Sequence, residues 1–143
     1  MTNSFSIAQI KAATARNLGD AALLHAEKHG WEVAAAVVDP GGYLVAFGRT
    51  DHVAPPIGQF ELDKAYTAGT LRKSTKAFGE RMTSSPTLSL GLSNRDRFMA
   101  WGGGVAIFEG DSCIGALGVS GAQEHEDIAC AEAAILSQQL TPG

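Results

Sequence analysis

Apolar residues recur at roughly helical spacing through Ile7, Ile10, Ala13, Leu18, Ala21 and Ala22, with Thr14 a polar interruption. That period predicts an amphipathic helix from about Ile7 to His29. Ser6 and Gln9 stand at capping-box spacing before it, and Gly30 supplies the stop. The period then shortens. Trp31–Val38 and Tyr43–Arg49 are strand-like runs on either side of Asp39-Pro40-Gly41-Gly42, turn chemistry that predicts a hairpin. Pro55-Pro56 breaks the chain, and residues 57–72 suit a second helix in which Ala65, Ala68 and Gly69 permit close packing. A short helix over Ser74–Met82 starts at a Ser74 or Thr75 cap. Thr83–Asp96 is polar, Ser-rich and weakly periodic, and reads as a loop. Val105–Phe108 and Cys113–Val119 form a second hairpin across Glu109-Gly110-Asp111. The last helix runs from about Gln123 to Gln139, with Ile128, Ala131, Ala134, Ile135 and Leu136 inward.

The order helix, hairpin, helices, hairpin, helix favours an α+β fold on an antiparallel sheet. With 143 residues and no linker, repeat or low-complexity tract, residues 1–143 are expected to form a single domain. A hydrophobic share of 45% against 18% charged residues excludes a disordered chain. The net charge of -4 argues against nucleic acid as the main partner; the densest basic run, Arg72, Lys73 and Lys76, suits a solvated helix end. The apolar runs, such as Val33–Val38, are too short to span a bilayer, so no membrane partner is expected. No secretory signal is read at the N-terminus, although a processed precursor would also lack one. Cys113 and Cys130 lack CxxC spacing and read as reduced, buried cysteines of a cytoplasmic protein.

Candidate chemistry is densest between Gly102 and Leu136. Gly103, Gly104, Ser120 and Gly121 offer backbone N–H groups to a ligand, the last pair just before a helix N-terminus that favours an anion. Close strand–helix packing explains the same glycines. Glu124, Glu126 and Asp127 suit the start of that helix through its dipole. Elsewhere, His25 and His29 share a helix face at i, i+4, either as a ligand pair or as solvated residues at a helix C-terminus. No further ligand follows at a telling spacing, so no metal is expected. His52, in a loop stiffened by Pro55-Pro56, is a candidate general acid or base or else an ordinary surface histidine. Glu61 and Lys64 stand at i, i+3, where a surface ion pair is the default. Arg49 suits a carboxylate ligand. Neither cysteine has a neighbouring base in sequence, which argues against a thiol nucleophile.

Several motifs together carry a resemblance. Val37-Val38-Asp39-Pro40-Gly41-Gly42-Tyr43-Leu44-Val45-Ala46-Phe47, Lys64-Ala65-Tyr66-Thr67-Ala68, Gly103-Gly104-Val105-Ala106-Ile107 and Ile114-Gly115-Ala116-Leu117-Gly118-Val119-Ser120-Gly121 occur in order, followed by Asp127 and Ala131. In this the chain resembles the GlcG/HbpS family. The resemblance implies a profilin-like antiparallel sheet of about five strands flanked by helices, and assembly into closed homo-oligomers. It implies a small-molecule-binding protein whose ligand is heme or a related planar compound, with His25 the axial candidate. Lys64 and Asp127 fall on family motif positions. Relatives from catabolic operons imply an alternative, a hydrolytic deaminase of an aminomuconate-like acid that needs no cofactor. There Arg49 and Lys64 would orient carboxylates, while His52 with Glu61 or Asp127 would move protons. The chain departs from the family pattern at Thr50, His52, Trp101 and Ala106.

Overall fold

The first hairpin, β1 (Ala34–Val38) and β2 (Leu44–Arg49), forms where the strand period and the Asp39–Gly42 turn place it. In this computed structural model, which describes residues 1–143, Asp39 Oδ1 accepts from the Gly41 and Tyr43 N–H groups and closes that turn. The second hairpin, β3 (Gly104–Glu109) and β4 (Ser112–Ser120), pairs beside it, and all neighbours are antiparallel in the order β2-β1-β4-β3-β5. Strand β5 (Thr141–Pro142) is a two-residue addition to β3 that the sequence reading did not include. The sheet is thus the five-stranded antiparallel sheet that the resemblance implies.

Every residue of β1 is buried, because both faces of the sheet are covered there. Ala35, Val37, Val105, Ile107, Leu117 and Val119 face α1 (Ala12–Lys28) and α5 (Glu124–Ser137) in the larger core. Ala36, Val38 and Ala116 face α2 (Ile57–Leu71) on the other side, meeting Ala65 and Ala68 in a core built almost wholly of small residues. That second interface is unusually close. A Cβ at Gly118 would collide with the Glu61 carbonyl oxygen and lie 2.6 Å from the Ala65 nitrogen; one at Gly104 would collide with the Lys64 carbonyl oxygen. The backbone of α2 therefore rests directly on β3 and β4.

Three local expectations are corrected. Helix α1 begins at Ala12, not near Ile7, and no side chain caps it, so the Ser6–Gln9 box does not form. Ile10 is instead drawn to the sheet: its N–H donates to the Ile114 carbonyl at 2.9 Å and its side chain is buried, which holds the preceding chain out of the helix. Ile7 and Ala13 are consequently exposed, and the inward face of α1 is Ala15, Leu18, Ala22 and Ala26. Within the segment read as a loop, α4 (Pro86–Leu92) forms after α3 (Thr75–Met82). Ser85 accepts from the Leu88 N–H and Pro86 occupies the first turn, a start signal outweighed in the sequence by polar composition. At the other end Leu136 is 60% exposed rather than inward, and Cys130 takes a core place on α5. The capping box that does form joins Gln123 and Glu126 at the α5 start.

The packing predicts opposite signs for one substitution type. Gly118→Ala should destabilise by about 2–3 kcal/mol, because α2 must lift off β4. Gly19→Ala, within α1 and with nothing within 4 Å of the new Cβ, should stabilise by about 0.5–1 kcal/mol. Urea unfolding measures both; equal effects would show that α2 is not held in contact with the strand.

Candidate functional site

Helix α2 turns Glu61 and Lys64, one turn apart, toward the sheet, and both are wholly buried. This corrects the expectation of a surface ion pair between them. Lys64 instead donates from Nζ to Asp127 Oδ2 at 3.2 Å and to the Val119 carbonyl at 3.0 Å. Asp127, in the first turn of α5, accepts the Ala122 N–H on its other oxygen at 3.0 Å. One ammonium so ties α2 to the end of β4 and, through Asp127, to the turn that launches α5. Burial pushes the Lys64 pKa down and the Asp127 pKa up, and their mutual attraction opposes both shifts.

Gly103 makes room for that ammonium. Its φ of 126° lies in the region that favours glycine, and a Cβ there would stand 2.6 Å from Lys64 Nζ. Gly121, with φ of 131°, is pressed in the same way against the Glu32 carbonyl. The Thr75 hydroxyl secures the neighbouring strand edge by accepting the Gly104 N–H at 3.0 Å. Gly103 and Gly104 also border a recess of about 180 Å³ shared with Ser74, Lys76, Ile128 and Glu132. Ser120 is buried at the end of β4 opposite Ala34.

Glu61 is different. Both of its carboxylate oxygens are buried and neither has a hydrogen-bond partner; no other buried side-chain nitrogen or oxygen is left so. Burial pushes its pKa up to about 7, against the pull of Lys64. Beside it on the surface Phe60 and Trp101 meet edge to face, with ring centroids 6.0 Å apart. Sequence reasoning passed over Phe60, Thr75 and the Val119 carbonyl. Only Thr75 carried a signal, as a possible cap residue, and its actual work is on the sheet edge.

The remaining candidates stand apart from this cluster. Arg49 and His52 are exposed, and their side chains make no hydrogen bond or ion pair. The His52 backbone N–H donates to the Glu32 carboxylate at 3.2 Å. His25 lies on the α1–α5 side, half-buried in a recess of about 190 Å³ lined by Ala21, Leu24, Lys28, Ala133 and Ser137. Its ring is 4.5 Å from that of His29, which stacks on Trp31 at 4.4 Å. Burial lowers the His25 pKa, helped by the charges of His29 and Lys28, which disfavours the protonated imidazole.

The Glu61 carboxyl makes stability depend on pH. Its folded pKa, about 7, exceeds the ordinary 4.5, so its contribution is complete below pH 4.5 and is lost as pH rises through 7. Glu61→Gln removes that loss. Between about pH 5 and about pH 8 the variant should gain about 2–3 kcal/mol on the wild type in denaturant unfolding. Parallel pH profiles for the two would show that the carboxyl is not buried as described.

Comparison with known proteins is consistent over nearly the whole chain. Residues 10–136 match the family model described as haem degrading protein HbpS-like. An uncharacterized 15.0 kDa protein from the dhaT-dhaS intergenic region of Citrobacter freundii is 33% identical over 136 residues, covering 94% of this chain and 96% of the relative. The crystal structure of Klebsiella pneumoniae protein ORFY superposes with a TM-score of 0.87 at 29% identity, covering 94% of each chain. A crystal structure of a PduOC–heme complex has a TM-score of 0.84, covering 92% of this chain and 96% of its own; at 22% identity that likeness concerns the fold alone. No helix here is long and apolar enough to cross a membrane. The fold, the order of the motifs and these matches agree: the chain belongs to the HbpS-like, or GlcG/HbpS, family.

Proposed function

We propose that this chain is a small-ligand-binding protein whose ligand is heme or a related planar molecule, docked at the C-terminal end of α1. The observation that carries the reading is the His25 imidazole. It is half-buried, it makes no side-chain hydrogen bond, and its environment disfavours the protonated form, which suits a ligating nitrogen. Leu24, 52% exposed beside it, offers apolar cover, and Lys28 a cation for a carboxylate. Bound heme would supply an iron able to take one imidazole nitrogen. The residues present therefore fit the group, but a recess of about 190 Å³ can receive only part of a porphyrin. A second copy of the chain would cover the remainder, and we assign self-association that role. Family membership supports the reading, since the matched model is named for haem.

Hemin added to the purified protein should give a shifted Soret band that saturates and weakens at least tenfold in His25→Ala, while His52→Ala is unchanged. An unshifted spectrum at stoichiometric protein overturns this assignment.

A second reading, the hydrolytic deaminase, draws on a separate observation: the unpartnered Glu61 carboxyl with its pKa near 7. A group poised there can take and return a proton at neutral pH. Lys64 and Asp127 would hold the surrounding backbone. The purified protein should then release ammonia from 2-aminomuconate, with kcat at least a hundredfold lower in Glu61→Gln. No release from the wild type ends this reading.

A further inference from the structure

The Glu61 carboxyl calls for a partner the protein does not supply. Two oxygens that make no hydrogen bond are costly to bury, and a ligand bearing N–H or O–H groups would relieve that cost. The cover over the carboxyl is thin on one side. Oε1 lies 3.8 Å from the point where a Cβ at Gly58 would stand, and Gly58 is a half-exposed residue without a side chain. It sits in the first turn of α2, behind Pro55-Pro56. The turn is held by hydrogen bonds from the N–H groups of Ile57 to Ala54 O at 3.0 Å, Gly58 to Pro55 O at 3.2 Å and Gln59 to Pro56 O at 3.3 Å. The next turn, from Glu61 onward, is clamped to the strands.

Charge and shape narrow the class of ligand. Three carboxylates, Glu61, Asp127 and Glu124, act on the single Lys64 ammonium. Asp127 pairs with it directly, so above pH 7, where Glu61 is ionised, Glu61 and the exposed Glu124 carry negative charge that no ion pair answers. A cation answers that excess; a neutral donor does not. The two aromatic rings at the surface add the second half of the argument. Phe60 is 37% exposed and Trp101 is 45% exposed; in the chain they directly precede the buried Glu61 and Gly102. Gly102 in turn packs on Glu124, a Cβ there lying 3.1 Å from Glu124 Cγ. Exposed rings beside acidic groups suit a planar ring that carries an ammonium, through stacking and cation–π attraction.

We propose that the first turn of α2 and the Phe60–Trp101 pair form a binding site for a planar primary amine, whose ammonium meets the Glu61 carboxylate. The site lies across the sheet from His25 and is independent of the heme reading. It uses the same carboxyl as the deaminase reading but requires no hydrolysis.

The test uses Trp31→Phe protein, in which Trp101 is the only tryptophan left, since the chain has two. Benzylamine titrated at pH 8, where Glu61 is ionised, should change Trp101 fluorescence saturably. Adding Glu61→Gln should raise Kd at least tenfold. Phe60→Ala, a surface change that leaves the core intact, should raise it at least threefold. Benzyl alcohol, the same ring without the charge, should bind at least tenfold more weakly than the amine. No saturable change, or equal binding by the alcohol or by Glu61→Gln, overturns the proposal. Binding without ammonia release from 2-aminomuconate leaves this site standing and ends only the deaminase reading.

Discussion

The Lys64 ammonium organises this protein. A charge carried into a sheet–helix interface must find acceptors there, and Lys64 finds a strand carbonyl and a carboxylate from two other elements. Those acceptors draw α2, the end of β4 and the start of α5 to one point. The glycines follow from the same demand: Gly103 clears a space for the ammonium, while Gly104 and Gly118 let the helix backbone come close enough for a lysine side chain to reach. Removing either charge would strand the other away from water, so the pair acts as a constraint on geometry more than as a source of net stability.

That close packing explains why Glu61 is unusual. The helix turn that brings Lys64 to its partners also carries Glu61 inward, onto strands whose facing residues are Ala and Gly. Nothing in that small-residue surface can donate a hydrogen bond to it, and a single ammonium already engaged elsewhere lowers its pKa too little to offset burial. The result is a titratable group poised near neutrality and left without a partner. The opposite face of the sheet is different in kind. There an ordinary apolar core fills the space beneath α1 and α5, and the polar interest moves to the rim, where His25, His29 and Trp31 cluster. One sheet thus presents two chemically unlike regions on its two sides.

Much of the architecture is legible in the residue pattern. Two dense turns, two pairs of apolar runs and a clear helical stripe predict the hairpins, the antiparallel sheet and helices α1, α2, α3 and α5, and the motif order identifies the family. The errors came where local signals competed with contacts distant in sequence. Ser6 and Gln9 look like a cap, yet Ile10 gains more by joining the sheet at Ile114. Ser85-Pro86 does begin a helix, but in a segment whose polar composition hides it. Residue type and motif position mark individual site residues, without their relation to one another.

From residue order alone, the chain settled both hairpins and most of its helices, its sheet class and its family, because these rest on periodicity, turn chemistry and motif spacing over a few residues. It could not settle that Lys64 belongs to Asp127, 63 positions away, or that Glu61 belongs to no one. At i, i+3 on a helix those two side chains read as a surface pair. Only the approach of α2 to within backbone contact of β3 and β4 buries both and separates them, giving one a partner and leaving the other a carboxyl open to a ligand. Burial and partnership are properties of the assembled sheet and helices, and no local pattern encodes them.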